Sequence, residues 1–146
     1  MSNKPSRTPW HVWAVGIVTL LWNAIGANDY TMTQLGNRAY LDAMQYPPAG
    51  LAYIQAFPAW AVAGWAFGVW GALLGSVLLL LRRRLALWAF AASLFGMAIV
   101  TVYEARTAKP PEVAALQPAW FPIVLWGIAV FLLVYSWSMR RRGVLR

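Results

Sequence analysis

Four apolar stretches, at about residues 9–28, 58–81, 85–103 and 118–139, each hold the roughly 20 residues that a helix needs to cross a hydrocarbon layer of ~30 Å. With 61% apolar and 11% charged residues, the 146-residue chain lies outside the range of water-soluble domains. The expected fold is therefore all-α: one integral membrane domain, residues 1–146, built as a four-helix transmembrane bundle. The first stretch follows Lys4 and Arg7, lacks a small-residue cleavage pattern and continues through Asn23 to Asn28, so a retained helix is expected rather than a cleaved signal.

The net charge of +8 does not point to nucleic acid, whose readers spread their cations over a hydrated face. Here Arg82, Arg83 and Arg84 follow one apolar stretch and Arg140, Arg141 and Arg142 follow another, the placement of membrane stop signals. With the amino end inside, Lys4, Arg7, the two triplets and Arg146 make nine cytoplasmic cations, against Arg38, Arg106 and Lys109 outside. The bias predicts an N-in/C-in topology. All four acidic residues, Asp29, Asp42, Glu104 and Glu112, then fall on the outer side.

Pro9, Pro58 and Pro118 stand near expected helix starts, each followed closely by a tryptophan suited to the membrane interface (Trp10, Trp60, Trp120). Arg82–Arg84 leave room only for a tight hairpin between the second and third spans. The long connection, residues 29–57, is expected to form an outer, periplasmic cap. Its first part can continue the helix, while Pro47-Pro48-Ala49-Gly50 interrupts it. Pro58-Ala59-Trp60 recurs as Pro118-Ala119-Trp120, which fits either a weak internal repeat or independent use of the same interfacial signals.

Two patterns mark candidate functional faces. Gly64, Gly68, Gly71 and Gly75 lie within about 40° of Gly64 on the second span, a bare stripe that lets another backbone approach closely in lipid. Its partner is either the third span, where Ala89, Ser93 and Gly96 match it, or another subunit, or a flat apolar ligand. The second pattern runs along the first span and past its end, through Thr19, Asn23, Gly26, Tyr30, Thr33 and Asn37. Asn23 inside an apolar span must face protein or water, because an amide in hydrocarbon without a hydrogen bond is costly. Glu104 ends the third span, where the helix dipole disfavours an anion, so water or a partner cation, Arg38 or Arg106, must offset it. Asn23, Tyr30, Gln34 and Glu104, with Asp29 and Arg38 at the rim, form the candidate ligand site. Trp22, Trp65, Trp70 and Trp126 lie deeper than the interface and either pack or line a cavity for a flat apolar molecule.

Chemistry is sparsely equipped. The chain has no cysteine and one histidine, His11, so no metal site and no cofactor is expected. No phosphate loop, Ser-His-Asp set or intramembrane carboxylate pair occurs, and no enzyme activity is expected.

The run Leu21-Trp22-Asn23-Ala24-Ile25-Gly26, with Asp29-Tyr30-Thr31-Met32-Thr33-Gln34, Tyr40-Leu41 and Phe57-Pro58-Ala59-Trp60, resembles a group of small bacterial four-helix membrane proteins that often carry a provisional sugar-transporter label. The resemblance extends to Arg84. It implies a multi-pass location in the bacterial inner (cytoplasmic) membrane and a shared polar motif. Two functional classes follow. One is a non-enzymatic oligomeric or accessory module whose partners are the lipid bilayer and itself or another membrane protein. The other is a binder or carrier of a small apolar or lipid-like molecule at the outer end.

Overall fold

The computed structural model describes residues 8–146. Lys4 and Arg7, counted in the charge argument, lie outside the described residues. Among the described residues there are seven helices: α1 (Trp10–Gln34), α2 (Arg38–Ala43), α3 (Pro48–Gln55), α4 (Ala59–Leu80), α5 (Leu85–Arg106), α6 (Pro111–Leu116) and α7 (Phe121–Arg141). Helices α1, α4, α5 and α7 are long and apolar enough to cross a membrane. The chain is an all-helical bundle of four such spans, with α2, α3 and α6 as short helices at one end.

Packing follows a row. α1 lies on α4, α4 on α5 and α5 on α7, while α3 meets α6. Neighbouring long helices run antiparallel, so one end of the bundle gathers the start of α1, the α4–α5 turn and the end of α7 with their arginines, and is called here the basic end. The opposite end carries α2, α3, α6 and is the cap end.

The α4–α5 hairpin is the closest contact. A β-carbon on Gly96 would collide with the Gly64 carbonyl oxygen and lie 2.6 Å from the Gly68 nitrogen. One on Gly71 would lie 3.1 Å from both the Ala89 carbonyl oxygen and the Ser93 nitrogen. Ser93 Oγ donates to the Gly68 carbonyl at 2.6 Å. The glycine stripe thus faces α5 of its own chain, where missing side chains allow backbone-to-backbone van der Waals contact.

The principal core lies at the basic end, where Val12, Leu79, Phe90, Leu132 and Met139 from all four spans meet Val144 and Leu145 of the final segment. Gly143, at φ 70°, ends α7 in a Schellman turn: Val144 N donates to Met139 O and Gly143 N to Arg140 O. The turn folds Leu145 inward and brings Arg146 against the α4–α5 turn, where its nitrogen donates to Arg82 O (2.7 Å) and its oxygen accepts from Arg84 N (3.0 Å). His11 Nδ1 pairs with Tyr135 Oη at 2.5 Å and joins α1 to α7 at the same end.

Arg82 closes α4 with the same 6→1 and 5→2 pattern, but at φ 55° in a side-chain-bearing residue. The left-handed conformation costs such a residue about 1 kcal/mol that glycine avoids. Arg82→Gly should therefore raise the denaturation midpoint of the purified protein by an amount equivalent to about 1 kcal/mol. A lowered midpoint would show that the Arg82 guanidinium, which donates to Thr8 Oγ1, outweighs the backbone strain.

Several local expectations are corrected. α1 runs on to Gln34, the continuation past Asn28 that the sequence allowed, and α5 runs three residues beyond Tyr103 to Arg106. Pro118 does not start the last span: α7 begins at Phe121, with Pro122 in its first turn. Pro58-Ala59-Trp60 opens α4, whereas Pro118-Ala119-Trp120 precedes α7, so the two tripeptides are not structurally equivalent. Pro47-Pro48 interrupts the chain and also starts a helix, with Pro48 at the first position of α3, where its missing N–H has no helical acceptor to lose.

Candidate functional site

Asn23 is buried midway along α1. Its Nδ2 donates to Ser76 Oγ (2.9 Å) and to the Ala72 carbonyl (3.2 Å) of α4, and Ser76 Oγ reaches Thr19 Oγ1 at 3.3 Å. The α4 partners lie on a face of that helix adjoining the glycine stripe, so the amide is satisfied inside the α1–α4 contact. Tyr30, roughly 10 Å further along the helix axis at 1.5 Å per residue, packs edge-on against Trp65 with ring centroids 5.0 Å apart. Asn23 is therefore not part of the cap, and Gln34 and Arg38 are exposed.

The cap end instead gathers aromatic rings. Phe57 contacts Tyr53 (5.3 Å), Trp65 (6.3 Å) and Tyr103 (4.5 Å), and Tyr103 meets Trp60 at 5.5 Å. This cluster spans α1, α3, α4 and α5. Edge-to-face pairs of this kind add ~1 kcal/mol each beyond the area they bury. Asp29 accepts from Tyr40 Oη at 2.9 Å and so anchors α2 on α1. The partner of Glu104 is neither Arg38 nor Arg106 but Lys109, at 3.3 Å, since the chain turns back after α5. With both side chains part-exposed, the pair stabilises by no more than ~1 kcal/mol.

Asp29 and Glu104 do share one neighbour. The Tyr46 hydroxyl is raised above its ordinary pKa by burial, and then by the negative charges of Asp29 and Glu104. Tyr46 folds over Gly50, where an added β-carbon would sit 2.8 Å from its ring. Burial, followed by the Glu104 charge, pushes Tyr53 up to about 12, and its hydroxyl is buried without a hydrogen-bond partner. Tyr40 is also pushed up to about 12, by burial first and then by the hydrogen bond to Asp29. Sequence reasoning found Asp29, Tyr30 and Glu104 but missed Tyr46 and Tyr53. Only their spacing across two prolines could have brought them to notice.

These tyrosines give the cap an alkaline limit. In the unfolded chain a tyrosine ionises near 10, whereas folded Tyr40 and Tyr53 stay neutral to about 12. Their contribution is complete below pH 10 and is lost between pH 10 and 12. A tyrosinate absorbance titration should show a late component that Tyr40→Phe and Tyr53→Phe each reduce. One transition at the ordinary tyrosine value would refute it.

The deep tryptophans do not share a cavity. Trp22 and Trp70 are exposed on the bundle surface, Trp65 packs on Tyr30, and Trp126 Nε1 donates to Thr101 Oγ1. Among the described residues no group of three or more His, Asp or Glu could hold a metal ion. No protein-family model, curated protein or solved structure matches the chain, so the functional argument rests on its own residues.

Proposed function

We propose that the chain is a non-enzymatic module of the bacterial inner membrane that works by assembling with a second copy of itself. In this reading the basic end is cytoplasmic and residues 29–57 form a periplasmic cap, as the distribution of cations and the resemblance to small bacterial four-helix proteins favour. The observation that carries assembly is the state of α7. Its extensive contact among the long helices is with α5, α1 being reached through His11 and Tyr135 at the basic end, and none of its residues 121–131 is buried. That stretch presents Ile123, Val124 and Phe131 around Gly127, whose missing side chain meets nothing within 4 Å. A bare glycine on an outward helix face is where a second transmembrane helix can approach closely.

The absence of native cysteine makes the test direct. Gly127→Cys and Val130→Cys should crosslink two copies in intact membranes, while Ile17→Cys on the outward face of α1 should not. Monomeric mass in native spectrometry together with no crosslink from either α7 position would overturn the assembly reading. Labelling of Met44→Cys and Ala108→Cys only from the cytoplasmic side would overturn the orientation.

The unpartnered Tyr53 hydroxyl beside Glu104 favours a second reading, a small-molecule binder at the cap end. Purified protein carrying a co-purifying ligand that Glu104→Gln and Tyr53→Phe remove, with the fold retained, would select it over assembly alone.

A further inference from the structure

We propose that the groove between α5 and α7 at the basic end is a binding site for one anionic phospholipid, with an acyl chain in the groove and the phosphodiester held by Arg84 and Arg141. The groove holds about 370 Å³ and is lined by Leu87, Trp88 and Ala91 of α5 and Leu133, Val134 and Trp137 of α7, with no polar atom exposed in its wall. An open apolar channel of this kind suits a hydrocarbon chain and offers nothing to a free anion.

Its mouth is cationic on both sides. Arg84 precedes Leu87 and Trp88 by three and four residues, and Arg141 follows Trp137 by four, so each arginine continues the groove-lining face of its own helix. The Arg141 guanidinium stacks over the ring of Trp137, a groove-lining residue, at 4.5 Å, which holds it at that indole. Arg84 is held by the final segment, its Nε donating to Leu145 O at 3.4 Å and its backbone paired with Arg146. Trp88 and Trp137, both exposed, flank the channel at the depth where indoles meet headgroups. Every acidic side chain of the chain lies toward the opposite end, so no Asp or Glu competes for these guanidinium groups. Guanidinium pairs with phosphate through two parallel hydrogen bonds, which favours an anionic headgroup over a zwitterionic one that carries its own cation.

A second groove provides the contrast. Trp60, Phe95, Ala98, Ile99 and Val102 line one of about 330 Å³ toward the cap end, and no arginine stands among its lining residues. It is suited to ordinary acyl contact only.

The test is native mass spectrometry of the full chain in detergent, titrated with dioleoyl phosphatidylglycerol or dioleoyl phosphatidylcholine. The unaltered protein should retain one phosphatidylglycerol in preference to phosphatidylcholine. Arg84→Gln with Arg141→Gln should weaken phosphatidylglycerol binding roughly tenfold or more. Arg82→Gln with Arg83→Gln removes the same charge without touching either proposed phosphate ligand, Arg82 being turned to Thr8, and should cost much less. Ala91→Trp fills the groove without changing charge and should also abolish the preference, which keeps the proposal testable if the arginine pair misfolds. Equal losses from the two arginine pairs would overturn it, as would undiminished binding in Ala91→Trp, displacement by inorganic phosphate, or no preference in the unaltered chain.

Discussion

Gly96→Ala should unfold or severely loosen the protein, while Gly68→Ala, on the facing helix, should be almost silent. The alanine methyl at position 96 would meet the Gly64 carbonyl and Gly68 nitrogen, which are backbone atoms of α4 and cannot rotate away. Relief requires the hairpin to separate along its length, and overpacking of this kind costs about 3 kcal/mol. At Gly68 the nearest atom to an added methyl is Met97 N at 3.6 Å, an ordinary contact. Alanine there also favours the helix by up to ~1 kcal/mol, so the net change is small. Denaturation midpoints in detergent measure both. Equal effects at the two positions would mean that the hairpin does not pack through its backbones.

The second large effect is expected at the chain's final turn. Leu145 is fully buried among Val12, Leu79 and Leu132, although it lies four residues past the last residue of α7. Leu145→Ala should cost about 2–4 kcal/mol through lost transfer energy and the cavity left behind. Leu21→Ala, on a lipid-facing surface, serves as the control and should change stability by less than ~0.5 kcal/mol. A Leu145 variant as stable as wild type would show that the final segment is not part of the core.

The four spans were legible because hydropathy needs only a count of consecutive apolar residues, and lipid leaves little choice of conformation. Their ends were less legible. Thr31, Thr33 and Gln34 lower the hydropathy after Asn28 while remaining helical, and the Thr31 hydroxyl is satisfied within the helix by the Ala27 carbonyl. Pro118 reads as a helix start by the same rule that correctly marks Pro58. Pro122, four residues on, takes that position instead, and a proline rule cannot choose between two prolines. The Gly143-Val144-Leu145 segment carried a usable signal, a glycine after the last helical residue followed by apolar ones, but its docking partner lies more than sixty residues earlier in the α4–α5 turn.

The candidate polar site was less legible, for a different reason. Asn23, Tyr30 and Gln34 share a helix stripe, but a stripe tells which way side chains point and not how far the neighbouring helices extend beside them. Asn23 lies level with Ser76, Tyr30 with Trp65, and Gln34 is the exposed last residue of α1. The effect of Asp29 and Glu104 on the Tyr46 hydroxyl joins residues of three separate segments, which no single-helix pattern contains.

The Asn23–Ser76 contact has a consequence for alignment. Two helices that meet through glycine, alanine and aliphatic side chains can slide by one turn, about 5.4 Å, and recover much the same contact. If α1 slid in this way, the Asn23 amide would leave Ser76 and Ala72 and enter hydrocarbon unpaired, at a cost of several kcal/mol. The hydrogen bond itself contributes only ~1 kcal/mol. Its larger effect is to make one register between α1 and α4 far better than its neighbours. Because α2 and α3 hang from the end of α1, that single amide also sets the height at which the cap meets α5 and α6.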